Sequence, residues 1–222
     1  MTGDLFAPLT HPEAGTETIA PGAVLLRGFA CAEAPALLSG IEAVAAAAPF
    51  RHMVTPGGQT MSVAMTCCGS LGWVTDRRGY RYQATDPASG APWPSLPPAF
   101  AAVATAAAEA GGYPGFAPDA CLINRYAPGA RMGLHQDRDE QDFTQPIVSV
   151  SLGLPAVFLF GGPKRNDPAR RIPLVQGDVV VWGGPSRLFF HGVAPLRAGH
   201  HPAADPLRYN LTFRRAGLSC PS

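Results

Sequence analysis

The chain has 222 residues, 46% of them hydrophobic, enough to bury one substantial core and too apolar for a disordered segment. A net charge of +1 excludes the global basic field of a histone-like binder, so a polyanionic partner has to be met by a local patch. The five cysteines form no C-x-x-C pair, and the longest mostly apolar run, IVSVSLGLPAVFLF, is broken by two serines and a proline. With an opening, MTGDLFAPLT, that has no signal-peptide character, a reduced, soluble, cytoplasmic protein is expected, with no disulfide framework and no membrane span.

Residues 1–20 are mixed in character and read as a loose N-terminal segment. GAVLLRGF (22–29) predicts a first short strand. EAPALLSGIEAVAAAA (33–48) carries apolar residues at helical spacing and predicts a helix closed by Pro49, with Gly40 weakening it from inside. From about 50 to 96, short β-prone pieces alternate with turns at TPGG, CCGSLG, DRRG and DPASG, which suggests a polar, aromatic flap over a site. AFAAVATAAAEAG (99–111) predicts a second helix stopped by Gly111-Gly112. From about 118 to 215 nearly everything reads as strand: DACLINRYA, the GLHQD edge, IVSVSLGL, AVFLFGG, RRIPLVQGDVVVWGG, SRLFFHGV and LRYNLTFRR. Short strands spaced by Gly and Pro suggest a sandwich or jelly roll with two helices on one face.

Of the six histidines, His11, His200 and His201 read as solvated, and His52 sits among basic residues of the flap. His135 and His191 each lie at a strand end, where side chains converge on the mouth of a β barrel. In RMGLHQDRDE, His135 and Asp137 share a face if the edge is extended, and His191 can return beside them on a neighbouring strand. Two histidines and a carboxylate suit an iron site, but H-x-D with a distant His is a weak signal alone.

The last strand strengthens it. In RYNLTFR, Arg208, Asn210, Thr212 and Arg214 share one face, while Tyr209, Leu211 and Phe213 face a core or a second sheet. Two guanidiniums on a strand that is apolar behind are costly unless anions pair with them. A dicarboxylate fits one arginine, and the other can reach a protein carboxylate such as Asp137. Solvated arginines on an exposed edge strand are the competing reading, favoured if H-x-D…H were absent. In CLINRYAPG, Asn124 and Tyr126 offer an amide and a phenol to the same face, with Leu122 in line. A zinc hydrolase could use the same three ligands but would not need the two arginines.

CLINRYAPGARMGLHQDRDE, PIVSVSLGLPAVF, GDVVVWGG and RYNLTFR, together with RHMVTPGG, TMSVAMTCCGSLGW and GYRY, resemble the AlkB family of iron(II)- and 2-oxoglutarate-dependent nucleic-acid demethylases. The likeness runs from about residue 22 to 215. It implies an α+β fold: a double-stranded β-helix (jelly-roll) core, two packing helices and a β-rich nucleotide-recognition flap, in one domain over 1–222. It implies His135, Asp137 and His191 as Fe(II) ligands, and Asn124, Tyr126, Arg208, Asn210 and Arg214 around 2-oxoglutarate, with O2 as second cosubstrate. Trp73 matches a residue that stacks on a flipped base against His135, and Asp139 a carboxylate near the base's exocyclic amine. Thr55, Met61, Tyr80 and Arg165 match positions lining the nucleotide site or its backbone groove.

The implied substrate is alkylated single-stranded DNA, with RNA and duplex DNA as extensions, and nothing demands more than a monomer. Arg51, Arg77, Arg78, Arg81, Lys164 and Arg165 can supply the local basic patch. Two positions depart from the bacterial members: Gln59 stands where they have a tyrosine, and Gly133 where they have a serine. Two other readings stay open at this level: a related oxygenase acting on a protein or small molecule, and a catalytically idle nucleic-acid binder.

Overall fold

A computed structural model describes residues 15–217. In chain order the elements are β1 (Gly15–Ala20), β2 (Ala23–Arg27), α1 (Ala34–Ala47), β3 (Arg51–Val54), β4 (Thr60–Gly69), β5 (Gly72–Asp76) and β6 (Gly79–Gln83). They continue with α2 (Pro98–Ala110), β7 (Ala120–Tyr126), β8 (Met132–His135), β9 (Ile147–Gly153) and β10 (Ala156–Phe160). The last are β11 (Arg170–Leu174), β12 (Val179–Trp182), β13 (His191–Val193) and β14 (Arg208–Arg214).

Period-two alternation decides the architecture. Eight strands form a major sheet in the order β1-β2-β12-β9-β14-β7-β4-β3, and four form a minor sheet in the order β11-β10-β13-β8. Along β14, Leu211 and Phe213 pack with Ile123 of β7, Val148 and Val150 of β9 and the apolar faces of α1 and α2. The intervening residues turn to the space between the sheets, where Leu122, Tyr126 and Trp182 join Phe158 and Phe160 of the minor sheet. The major sheet is thus covered by helices on one face and by the minor sheet on the other, the double-stranded β-helix arrangement within an α+β fold. Both helices fall within about a residue of their predicted spans because their apolar spacing is regular.

Two expected boundaries shift. Gly15–Ala20, read as loose, is a strand paired antiparallel with β2, since its threonines favour strand and Ile19 is buried. Residues 1–14, with His11, lie outside the described residues. Of the expected flap, β3 and β4 belong to the major sheet, and only β5 and β6 form a separate two-stranded hairpin. Cys67 and Cys68, read as part of a turn, lie inside β4, where Val63 to Cys68 are all buried. The chain turns instead at Gly69, whose φ of +114° and close approach to the Asp119 carbonyl exclude a side chain. No helix among the described residues is long and apolar enough to cross a membrane.

Gly40 has a packing reason. A Cβ there would come within 2.7 Å of the Phe100 ring on α2, so the glycine sets how closely the two helices approach. Gly40→Ala is therefore expected to lower stability by about 1–3 kcal/mol in chemical denaturation, although alanine is the better helix former. Stabilisation would show that propensity outweighs the helix contact.

Candidate active site

Register brings the proposed ligands together. β13 pairs with β8 so that His191 lies opposite His135, and Asp137 follows two residues after His135, in the loop beyond the end of β8. Their ligand atoms all lie within 4.8 Å of one another. His135 Nε2 stands 3.6 Å from Asp137 Oδ1, and His191 Nε2 stands 3.6 Å from Asp137 Oδ2. Each ring is fixed from behind: with Nδ1 protonated, His135 donates to the Gly133 carbonyl at 2.9 Å and His191 to the Phe189 carbonyl at 3.0 Å. That tautomer leaves both Nε2 lone pairs aimed at one point, as a metal requires. Burial holds the His135 pKa below its ordinary range and keeps the ring neutral.

Asp137 is oriented by Arg214, which donates to Oδ2 from Nη2 at 2.6 Å and from Nε at 3.0 Å. Burial opposes ionisation of Asp137, but Arg214 outweighs it and holds the carboxyl well below its usual range. Behind this pair lies a network that the sequence reading missed. Arg187 donates to the Asp137 backbone carbonyl at 2.7 Å and to Glu140 at 3.1 Å. Glu140 also meets Arg214 at 3.2 Å and accepts from the Tyr82 hydroxyl at 2.7 Å.

A narrow chamber opens on the inner side of the triad, lined by Asn124, Tyr126, Ser149, Trp182, Arg208, Asn210 and Arg214 among others. The β14 register explains the grouping: Arg208 pairs with Tyr126, and Asn210 with Asn124. Asn210 is fully engaged, donating to Ser149 and to the Val150 carbonyl and accepting from Asn124 and Thr212. Arg208 is not. It is 1% exposed and donates to Ser151 Oγ at 3.1 Å, with its guanidinium 4.9 Å from the Tyr126 ring centre. Its Nε and Nη1 have no protein partner, nor does one end of the Asn124 amide. No carboxylate of the described residues pairs with Arg208, and burial lowers its pKa. A buried cation with two idle donors fits an incoming carboxylate, so the chamber suits 2-oxoglutarate as the triad suits Fe(II). Trp182 was also missed: its ring stands 4.9 Å from that of His191, and its indole N–H is buried without a partner.

On the outer side a cavity of about 580 Å³ is lined by Thr55, Met61, Trp73, Tyr80, His135, Asp139 and Arg165 among others. All six residues expected at the nucleotide site therefore meet in one place. Trp73 and Tyr80 stack at 5.6 Å and 17°, and the Trp73 indole N–H donates to Asp139 at 2.8 Å. Arg165 lies 5.7 Å from the Phe190 ring centre at the rim. Gln59 and Gly133 line the same cavity. Outside it, His52 donates from Nδ1 to the Met61 carbonyl at 2.8 Å, tying β3 to β4, and His200 pairs with Asp205 at the surface.

Residues 22–214 match the model of the 2OG-Fe(II) oxygenase superfamily. The alpha-ketoglutarate-dependent dioxygenase AlkB of Salmonella typhimurium is 64% identical over 200 residues, covering 90% of this chain and 93% of its own. Its Escherichia coli counterpart is 61% identical over 214 residues, covering 96% and 98%. The chain belongs to the AlkB family. The solved structure of OsALKBH1 superposes with a TM-score of 0.81 at 31% identity, over 90% of this chain and 100% of that one. This AlkB-family chain is thus an Fe(II)- and 2-oxoglutarate-dependent dioxygenase, and its His135–Asp137–His191 triad is consistent with the iron site of such enzymes.

Arg214→Met would leave the Asp137 and Glu140 carboxylates without their shared cation. In the metal-free protein it is expected to cost about 3–5 kcal/mol in urea denaturation at neutral pH. Because Arg214 depresses the Asp137 pKa, its stabilisation is present above the ordinary carboxylate value and is lost as pH falls. The gap between wild type and variant should therefore narrow below about pH 4.

Proposed function

We propose that the enzyme oxidatively demethylates N-alkylated bases, 1-methyladenine and 3-methylcytosine, in single-stranded DNA, with RNA and duplex DNA as further substrates. The observation that carries this reading is the outer cavity. Its lining includes the Trp73 indole, the His135 imidazole of the triad and the Asp139 carboxylate that the indole holds, which supports a site for a flat cationic base. A flipped base would lie between Trp73 and His135; such aromatic stacking contributes about 1–3 kcal/mol per base. Methylation at N1 of adenine or N3 of cytosine leaves the ring positively charged, and Asp139, held in place by the Trp73 N–H, favours that charged form over the repaired base.

Arg51, Arg78 and Arg81 are committed elsewhere, to Asp86 and Asp76. Phosphate contact then falls to Arg77, Lys164 and Arg165, with Thr55, Met61 and Tyr80 along the groove. The idle donors of Arg208 would hold the distal carboxylate of 2-oxoglutarate, beside Asn124, Tyr126 and Asn210, while Arg214 keeps Asp137 aligned. When bound, Fe(II) with 2-oxoglutarate and O2 supplies the oxidising equivalents that hydroxylate the methyl carbon. The N-hydroxymethyl group then loses formaldehyde as the cationic ring takes up the C–N electron pair. The polypeptide's share is to extract the base, clamp it and aim its methyl group at the triad.

The test is anaerobic loading with Fe(II), followed by 2-oxoglutarate, air and an oligonucleotide bearing one 1-methyladenine, with loss of the methyl group read by mass spectrometry. Demethylation that requires all three additions is expected. Succinate without demethylation would point to a protein or small-molecule substrate, and neither product to an idle binder. His135→Ala and Asp137→Ala are expected to abolish turnover. Arg208→Ala should raise the KM for 2-oxoglutarate by about 10–100-fold, the value of one or two hydrogen bonds to a charged group, and near-normal use of the cosubstrate would remove Arg208 from its site.

A further inference from the structure

The β5–β6 hairpin grips the metal-binding loop through two side-chain contacts, of which only one belongs to the outer cavity. Trp73 and Tyr82 are register partners across the hairpin, so their side chains leave the same face. Trp73 donates to Asp139 at 2.8 Å and Tyr82 to Glu140 at 2.7 Å. One aromatic cross-strand pair therefore holds two consecutive carboxylates of the loop that carries Asp137.

From Glu140 the contacts lead inward. Its Oε1 stands 3.2 Å from Nε of Arg214, the residue that fixes the Asp137 carboxylate. Its Oε2 stands 3.1 Å from Arg187, which fixes the Asp137 backbone carbonyl at 2.7 Å and is itself tied to the Gln145 carbonyl at 3.0 Å. Both cations that place Asp137, one through its side chain and one through its main chain, thus converge on Glu140. Glu140 is 6% exposed, so its charge has no solvent to fall back on, and the Tyr82 hydroxyl is the donor that completes its shell. A buried carboxylate with three donors holds them in fixed relative positions.

We infer that Tyr82 and Glu140 are positioning residues for the metal ligand Asp137: docking of the hairpin and retention of the metal form one mechanical unit. This inference rests on the metal assignment and not on the identity of the substrate. The hydroxyl of Tyr82, one atom on the hairpin, acts on the metal through three further side chains, Glu140, Arg214 and Asp137. Outer partners of metal ligands commonly carry a tenfold or larger share of metal affinity, and a group one contact further out carries less.

The test is titration of the full chain with Co(II) alone, followed by its d–d absorption bands, in wild type, Tyr82→Phe and Glu140→Gln. Tyr82→Phe keeps the ring and removes only the donor. It is expected to weaken Co(II) binding by about three- to tenfold and alter the band pattern, with Glu140→Gln losing more. Glu140→Asp, which keeps the charge, should recover part of the loss. Thermal unfolding is recorded alongside, and Co(II) affinity is measured well below the transition, so it decides even where stability also falls. Wild-type Co(II) affinity and bands in both Tyr82→Phe and Glu140→Gln would overturn the inference, leaving the hairpin contact as a stability element. No nucleic acid enters the titration, so a failure to find demethylation leaves its outcome unaffected.

Discussion

The site depends on the unequal treatment of two buried arginines on one strand. Arg214 and Arg208 leave the same face of β14, six residues apart, and both are almost fully enclosed. Arg214 is answered from within the chain by Asp137 and Glu140. Arg208 is answered by one serine hydroxyl and the face of a tyrosine, with two donors left over. Burying a guanidinium without an anion is among the costlier things a fold can do. A chain that does so at one end of a strand while pairing its twin at the other reserves a place for a carboxylate from outside.

Everything else holds that strand in register. The helices cover the apolar side of β14, so its polar side is forced inward. The minor sheet closes over that side and, through the β13–β8 pairing, sets His191 against His135. The triad therefore sits where a narrow inner chamber meets a wide outer cavity; His135 and Arg214 line both. The sheet geometry thus separates a narrow chamber that holds Arg208 from a wide cavity lined by Trp73 and Tyr80. The Glu140 network then ties the outer hairpin to the inner ligand, so the two sides are not mechanically independent.

Much of this was legible in the sequence because strands carry a period of two. Alternation in RYNLTFR and CLINRYA separated inward polar residues from the apolar backing, and even the pairing of one arginine with Asp137 followed from the cost of burying charge. The triad was readable from H-x-D and a distant His, weakly until the resemblance added to it; the six residues lining the outer cavity were named from the resemblance alone. Glu140 and Arg187 were not legible. In QDRDEQD an acid looks solvated, and only tertiary contact shows that it is enclosed by two distant cations. Arg187 alone carried a hint, as a single charge before LFF. Within the expected flap, the sheet membership of β3 and β4 was not legible, because both are turn-flanked and partly polar. Their membership of the major sheet depends on long-range pairing with β7, which no local pattern encodes.

The most direct measurement is calorimetric, on metal-loaded protein kept anaerobic: titration with 2-oxoglutarate and, separately, with 2-oxobutyrate, which keeps the chelating 2-oxo acid and lacks the distal carboxylate. If Arg208 is held unpaired for that carboxylate, 2-oxoglutarate binds more tightly by about a hundredfold, the worth of a buried charge-assisted pair. Equal affinities would contradict the account, because the buried cation would then have some other purpose.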